Sequence, residues 1–263
     1  TKPQPKENVV TVFEGIKSIA SKKGFQVDFH DSNSDILNIT ASDISSTVEV
    51  AQDYDYVFVV VGDNSLRHLK KKKTAGENMA RADINLAGNQ LNLVKSLNKL
   101  NNELIVIYVN GKPIAEPWIA ENVNSIIEAW EPGSLGGQAV GEIVFGDVNP
   151  SGKLPLTFPR SVGQLQMIYN HKPSQYFHDY AKEKITPLYP FGHGLSYSDF
   201  NYSELDVKMS KSEKSLINVS FLLTNNSEFY GEEIVQLYFR DSYSSVTRPV
   251  KELLKYMRVG LNA

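Results

Sequence analysis

"STVEVAQDYDYVFVVVGDN", residues 46–64, decides how the rest of the chain is read. A short helical segment gives way to the near-continuous apolar run from Tyr56 to Val61. A strand loses its polar alternation when helices cover both of its faces, so this run reads as a central parallel strand, buried on both sides. Gly62 must then open a loop.

The same grammar repeats outward in both directions. Upstream, "VVTVFEGIKSIASKKGFQVDFH" (9–30) places Val12, Ile16 and Ile19 at helical spacing before Gly24, followed by alternating Phe25, Val27 and Phe29, which predicts a helix and then a strand. Downstream come "NQLNLVKSLNKLN" (89–101, helix), "ELIVIYVNGKPI" (103–114, buried strand and turn), "NVNSIIEAW" (122–130, buried strand) and "LGGQAVGEIVFG" (135–146, helix). Strands alternating with helices imply an α/β fold with a mostly parallel sheet flanked by helices, in which chemistry gathers on loops leaving the carboxyl ends of the strands. From about residue 200 the texture changes to short alternating segments, "LINVSFLLTNNS" and "GEEIVQLYFRD", separated by Asn, Ser and Gly; these read as an all-β sandwich module. Such modules take about 100 residues, and only roughly 60 follow residue 203, so the module is expected to be incomplete. The expected organisation is a linker over 1–8 ("TKPQPKEN"), an α/β domain over 9–160, a connecting segment over 161–202 and the partial β domain over 203–263.

Composition narrows the function. The 263 residues are 41% hydrophobic and 10% aromatic, enough to fill a core. A net charge of -3, from 27 basic and 30 acidic side chains, supplies no basic field for nucleic acid. There is no cysteine for a disulfide scaffold, a zinc ribbon or a thiol nucleophile, and no apolar run long enough to span a bilayer. "VVVGDNSLRH" lacks the later glycines of a dinucleotide loop, and "GDVNPSGK" (146–153) has Leu154 where a phosphate loop needs a hydroxyl, so it reads as a turn. His171 and His178 are too far apart in sequence to suggest a metal site. Gly136 and Gly137 suit close helix packing, and Trp130 reads as core or as a sugar-stacking platform.

One carboxylate stands out. Glu77, in "TAGENMARADINL" (74–86), lies on the loop leaving the first buried strand, behind Gly76 and beside Asn78. It reads either as a catalytic carboxylate or as a solvated partner of Lys70 to Lys73.

The strings "FGDVNPSGKLPLTFPRSVGQ" (145–164) and "YPFGHGLSYSDF" (189–200) resemble those of glycoside hydrolase family 3, enzymes that remove β-linked sugars from non-reducing ends, and the likeness runs from about Val9 to the end of the chain. The resemblance implies an α/β sandwich that follows a (β/α)8 barrel and precedes a fibronectin type III-like domain. It also implies a general acid/base on a sandwich loop, within a Gly-Glu stretch that precedes an Arg-containing segment and a Gly-X-Gln helix start. "GENMARADINLAGNQ" supplies Gly76, Glu77, Arg81, Gly88 and Gln90 in that order, which makes Glu77 the candidate. Asp63, where relatives often carry glutamate, is the alternative; its shorter reach and strand-end position suit a structural or loop-anchoring role better. The nucleophile of a retaining glycosidase is implied to be an aspartate on the barrel, outside these residues. The expected whole is therefore part of an exo-acting β-glucosidase, with no cofactor and no metal, acting on a β-linked oligosaccharide or glycoside. Its partner is the missing N-terminal barrel, without which little or no hydrolysis is expected, and its location is periplasmic or secreted. β-Xylosidase is the near alternative. A non-catalytic carbohydrate-binding module, with exposed aromatics near Trp118, Trp130 or Tyr176, is the distant one.

Overall fold

Strands β1 (Tyr56–Gly62), β2 (Glu103–Val109) and β3 (Ser125–Glu128) form a parallel sheet in the order β1-β2-β3. They belong to a computed structural model that describes residues 4–65, 73–173, 183–209 and 217–263. The chain divides into two units: Thr1–Phe145 with Thr157–Ile168 and Tyr176–Pro190, and Gly146–Leu156 with Tyr169–Gln175 and Phe191–Ala263.

In the first unit, side-chain alternation along the strands builds two cores. Val59 and Val61 of β1 and Leu104, Val106 and Tyr108 of β2 pack with Leu93, Val94 and Leu97 of α3 (Gln90–Leu97), Ile119 of α4 (Pro117–Asn122) and Ala51 of α2 (Ala41–Ala51). On the opposite face, Phe58, Ile105, Ile107, Val109 and Ile127 meet Ile16 of α1 (Val12–Lys22) and Val140 of α5 (Gly136–Val144). The result is the expected α/β sandwich. Both α1 and α2 begin with a capping box, Thr11 with Glu14 and Thr40 with Asp43, which satisfies backbone N–H groups that the first turn would leave open.

Two expectations are corrected. Among the described residues the centre of the sheet is β2 and β1 lies at its edge: Tyr56 and Val60 are 61% and 48% exposed, so only Phe58 covers the second face of the Tyr56–Val61 run. A run of β-branched residues cannot distinguish the two cases, because an edge strand uses the same residue types. The alternating Phe25, Val27 and Phe29 join none of the described strands. Val27 packs on the α1–α5 core, whereas the Phe25 and Phe29 rings lie 6.3 Å from Phe145 and 5.2 Å from Phe13. Both rings remain largely exposed, at 59% and 66%, and only Val27 joins the core. Helix α4 was not anticipated, since six residues opened by a proline carry too little periodicity.

The second unit contains two antiparallel ladders: β4 (Phe200–Met209) with β5 (Ile217–Asn225), and β6 (Gly231–Phe239) with β7 (Glu252–Leu261). The 146–153 stretch is a turn here. The side-chain oxygen of Asn149 accepts from the Ser196 hydroxyl (2.8 Å) and the Tyr197 N–H (2.9 Å), while Lys153 bonds the Gly194 carbonyl (2.8 Å) and Glu233 (3.2 Å).

Helices α1 and α5 approach each other closely at their glycines. A Cβ on Gly15 would stand 1.8 Å from the Gly137 carbonyl oxygen, and one on Gly137 would stand 1.9 Å from that of Thr11. No rotamer relieves an overlap with backbone. Gly137→Ala should therefore destabilise the first unit by about 3 kcal/mol, read as a lower urea midpoint. Gly152→Ala, with no atom within 4 Å of its Cβ, serves as the unchanged control. Equal midpoints for the two variants would contradict the packing.

Candidate active site

Parallel register aligns the three strand ends. Gly62 pairs with Val109 and Tyr108 with Glu128, so the loops after β1, β2 and β3 leave from one edge of the sheet. The exit of β1 is fixed by Gln90 at the start of α3. Its side-chain amide accepts from the Gly62 N–H (2.8 Å) and donates to the Gly62 carbonyl (2.9 Å) and the Ala87 carbonyl (3.0 Å). Gly62 itself has no room for a side chain, since a Cβ there would meet the Val109 carbonyl oxygen at 1.9 Å. The next residue, Asp63, inherits a defined position, with its N–H donating to Val109 (3.0 Å).

Asp63 is buried, its side chain 2% exposed. Its Oδ1 accepts from the Thr74 hydroxyl (3.0 Å) and from Arg81 Nη1 (3.2 Å), and its Oδ2 from Lys112 Nζ (2.6 Å). Thr74, 3% exposed, also accepts from the Asn64 N–H (2.8 Å), and its own N–H donates to the Asn64 carbonyl (2.8 Å). Arg81 continues to the Asn85 carbonyl (2.9 Å) and to Asp83. One carboxylate thus gathers three donors from two loops.

Glu77 lies between two of those donors in sequence. Met79 N–H bonds the Gly76 carbonyl (3.1 Å), closing a turn over Gly76, Glu77, Asn78 and Met79. Gly76 and Asn78 have φ of 90° and 60°, values that glycine and asparagine adopt most readily among ordinary residues. The residue types around Glu77 are those a tight turn requires, and the turn presents Glu77 exposed at its tip. Lys73 directs its ammonium to the Glu77 backbone carbonyl. Lys70, Lys71 and Lys72 lie outside the described residues.

Beside the turn is a cavity of about 250 Å³, lined by Thr74, Gly76, Met79 and Arg81 after β1, Gly111 and Lys112 after β2, and Glu131 after β3. Sequence reasoning flagged Arg81 but missed Lys112 and Glu131. The signal for Lys112 was the "NGK" turn that ends the second strand. Asn110, 1% exposed, organises that turn by donating to the Lys112 carbonyl (2.6 Å) and, more weakly, to Glu128 Oε2 (3.4 Å). Glu128 Oε1 accepts from the N–H of Trp130 (3.0 Å), which holds a left-handed φ of 53°. Burial lifts the Glu128 carboxyl to about 7, opposed by the bonds from Trp130 and Asn110. Burial likewise raises Glu116, whose carboxylate accepts from the Leu86 N–H at 2.8 Å.

The aromatic candidates divide. The Trp130 ring packs edge-on to Phe158 at 5.6 Å, and half-buried Trp118 sits against the α3 core beneath Lys95. Tyr176 and His178 lie outside the described residues. No group of three or more metal-binding side chains occurs among the described residues, and no described helix is long and apolar enough to cross a membrane.

Residues 2–197 match the glycosyl hydrolase family 3 C-terminal domain, and residues 233–263 match the fibronectin type III-like domain. The chain belongs to glycosyl hydrolase family 3. Among family 3 relatives, a β-xylosidase of Formosa agariphila is 38% identical over 96% of this chain and 34% of its own length. A periplasmic β-glucosidase of Salmonella typhimurium is 34% identical over 83% of this chain and 29% of its own. Among solved structures, a β-glucosidase from Erythrobacter marinus superimposes with a TM-score of 0.85 at 34% identity, covering 97% of this chain and 37% of that one. A β-glucosidase from Listeria innocua in complex with isofagomine gives 0.85 at 27% identity, covering 98% and 36%. The chain therefore spans about a third of the length of these relatives.

Glu128 provides a test of the strand-end electrostatics. Its carboxyl lies above the ordinary 4.5, so its contribution to stability is full below about pH 4.5 and is lost as the pH rises through about 7, a change of about 3 kcal/mol. Glu128→Gln keeps an oxygen for the Trp130 N–H and removes the titration. Urea midpoints measured from about pH 4 to 8 should fall with pH in the parent and flatten in the variant; parallel curves would contradict the burial.

Proposed function

We propose that this chain supplies the general acid/base of a retaining, exo-acting β-glucosidase, and that Glu77 is that residue. The observation that carries the reading is the turn at the carboxyl edge of the parallel sheet. In a family 3 chain, it places an exposed carboxylate at the tip of a loop tethered to the end of β1. Exposure fits a group completed by another domain, because an acid/base must reach the glycosidic oxygen of a substrate held elsewhere.

The chemistry then runs in two steps. Glu77 donates its proton to the departing glycosidic oxygen while an aspartate of the (β/α)8 barrel attacks the anomeric carbon. The ionised Glu77 next takes a proton from water, which displaces the aspartate and restores the β configuration. The two carboxyl groups of such a site stand about 5 to 5.5 Å apart, so the barrel must dock against the Glu77 turn. No metal or cofactor enters this scheme. Solved relatives include Listeria innocua β-glucosidase in complex with glucose and, as a mutant, with laminaribiose, which favours β-linked glucosides as substrates. The 38% identical β-xylosidase keeps xylosides as the second reading. A periplasmic relative supports a periplasmic or secreted location.

The test combines this chain with the barrel domain of the same enzyme. Nitrophenyl β-glucoside should be hydrolysed by the mixture and not by this chain alone. Glu77→Ala should lower kcat on poor leaving groups by about 10²- to 10⁴-fold. On dinitrophenyl β-glucoside, whose leaving group needs no proton, added azide should restore turnover by attacking the glycosyl-enzyme in place of water, giving the β-glycosyl azide. Undiminished activity in Glu77→Ala would remove the assignment. A higher kcat/KM for nitrophenyl xyloside than for the glucoside would select the second reading.

A further inference from the structure

We infer that Asp63 is the positioning residue of the acid/base turn: its buried carboxylate clamps both ends of the segment that carries Glu77 and fastens it to the loop after β2. This inference rests on the role proposed for Glu77.

Thr74 and Arg81 flank Glu77, three residues before it and four after, and both donate to the same oxygen, Oδ1, at 3.0 and 3.2 Å. The segment between them is therefore an eight-residue loop whose two ends meet on one atom, with the Gly76–Met79 turn at its tip. The other oxygen takes Lys112 at 2.6 Å, the residue whose backbone is held by Asn110. Asp63 itself cannot drift. Its N–H is bonded to Val109, and the preceding Gly62 is locked to Gln90 on both its N–H and its carbonyl. Position passes from the sheet to Asp63 and from Asp63 to the turn.

Burial explains why this residue can be an anchor and is unsuited to be the acid. Its side chain is 2% exposed and both of its oxygens are taken up by Thr74, Arg81 and Lys112, so it is turned into the protein and away from a substrate held by another domain. A short side chain also keeps the clamp close to β1. A neutral asparagine would retain one oxygen for Thr74 and Arg81, but its amide would face Lys112 with a donor, and the two cations would be left without an anion. Displacing a reacting group by about 1 Å can cost about 100-fold in rate.

The experiment measures Asp63→Asn in the full-length enzyme on phenyl and dinitrophenyl β-glucosides, beside Glu77→Ala. Hydrogen exchange of the 73–84 segment is followed in the 263-residue chain. Phenolate needs protonation to leave and dinitrophenolate does not, so a misplaced acid lowers kcat/KM, which reports formation of the glycosyl-enzyme, selectively on the phenyl glucoside. The expected result is a kcat/KM about 100-fold lower on the phenyl glucoside, with kcat/KM on the dinitrophenyl glucoside near parent, together with faster exchange in the segment. Asp63→Glu should recover part of the loss. Thr74→Val, which removes one donor and leaves both ion pairs, should show the same selectivity at smaller size and provides the test if Asp63→Asn does not fold. Equal losses of kcat/KM on the two substrates, or unchanged exchange, would overturn the clamp. If Glu77→Ala itself shows no selectivity, the acid/base assignment fails; if it does and Asp63→Asn does not, only the clamp fails.

Discussion

The carboxylate of Asp63, 2% exposed and bonded to Thr74, Arg81 and Lys112, is the constraint from which the rest of the site follows. A buried carboxylate that loses its partners costs about 3 to 5 kcal/mol, so the arrangement holds only while all three segments stay in place. That requirement links the β1 exit, the turn that carries Glu77 and the loop after β2 into one cooperative feature. The parallel register is its precondition, because Gly62 opposite Val109 brings the first two loops to the same edge. Gln90 supplies the remaining link by tying the start of α3 to the end of β1.

Much of this was legible in the sequence, and the omissions have physical causes. The helix and strand spacings of 12–22, 56–62, 90–97, 103–109 and 136–144 follow from apolar periodicity, and the close α1–α5 approach was foreshadowed by Gly136 and Gly137. Edge and centre could not be told apart from "YVFVVV", since exposure of Val60 depends on which helices reach β1. Phe25 and Phe29 read as strand by their alternation, yet both rings remain largely exposed and only Val27 joins the core. Around the site, Gly76 and Asn78 announced a tight turn, yet neither pointed to Lys112, which lies 49 residues from Asp63 and meets it only through the pairing of β1 with β2. Glu128 was invisible for the same reason: its burial is produced by the loops packed over the sheet end, and no local pattern records it.

The division of labour follows from where charge is buried. Glu116 and Glu128 are held inside, where burial favours their neutral forms, and they bond backbone N–H groups of the loops they organise. Asp63 is held inside by ion pairs with Arg81 and Lys112. Glu77 is the exposed carboxylate at the tip of the turn. An exposed group can have its proton affinity set by a second domain that closes over it, which is the behaviour a shared active site requires. The family 3 relatives, about three times as long as this chain, are consistent with such a division.

The central claim is that Asp63 acts on catalysis through Glu77, and a double-mutant cycle in the full-length enzyme tests it most directly. The rates on phenyl β-glucoside of the parent, Asp63→Asn, Glu77→Ala and the double variant give the coupling between the two positions. The account predicts that Asp63→Asn causes no further loss once Glu77 is alanine. Losses that multiply, leaving the double variant slower than either single variant by the product of their effects, would contradict it.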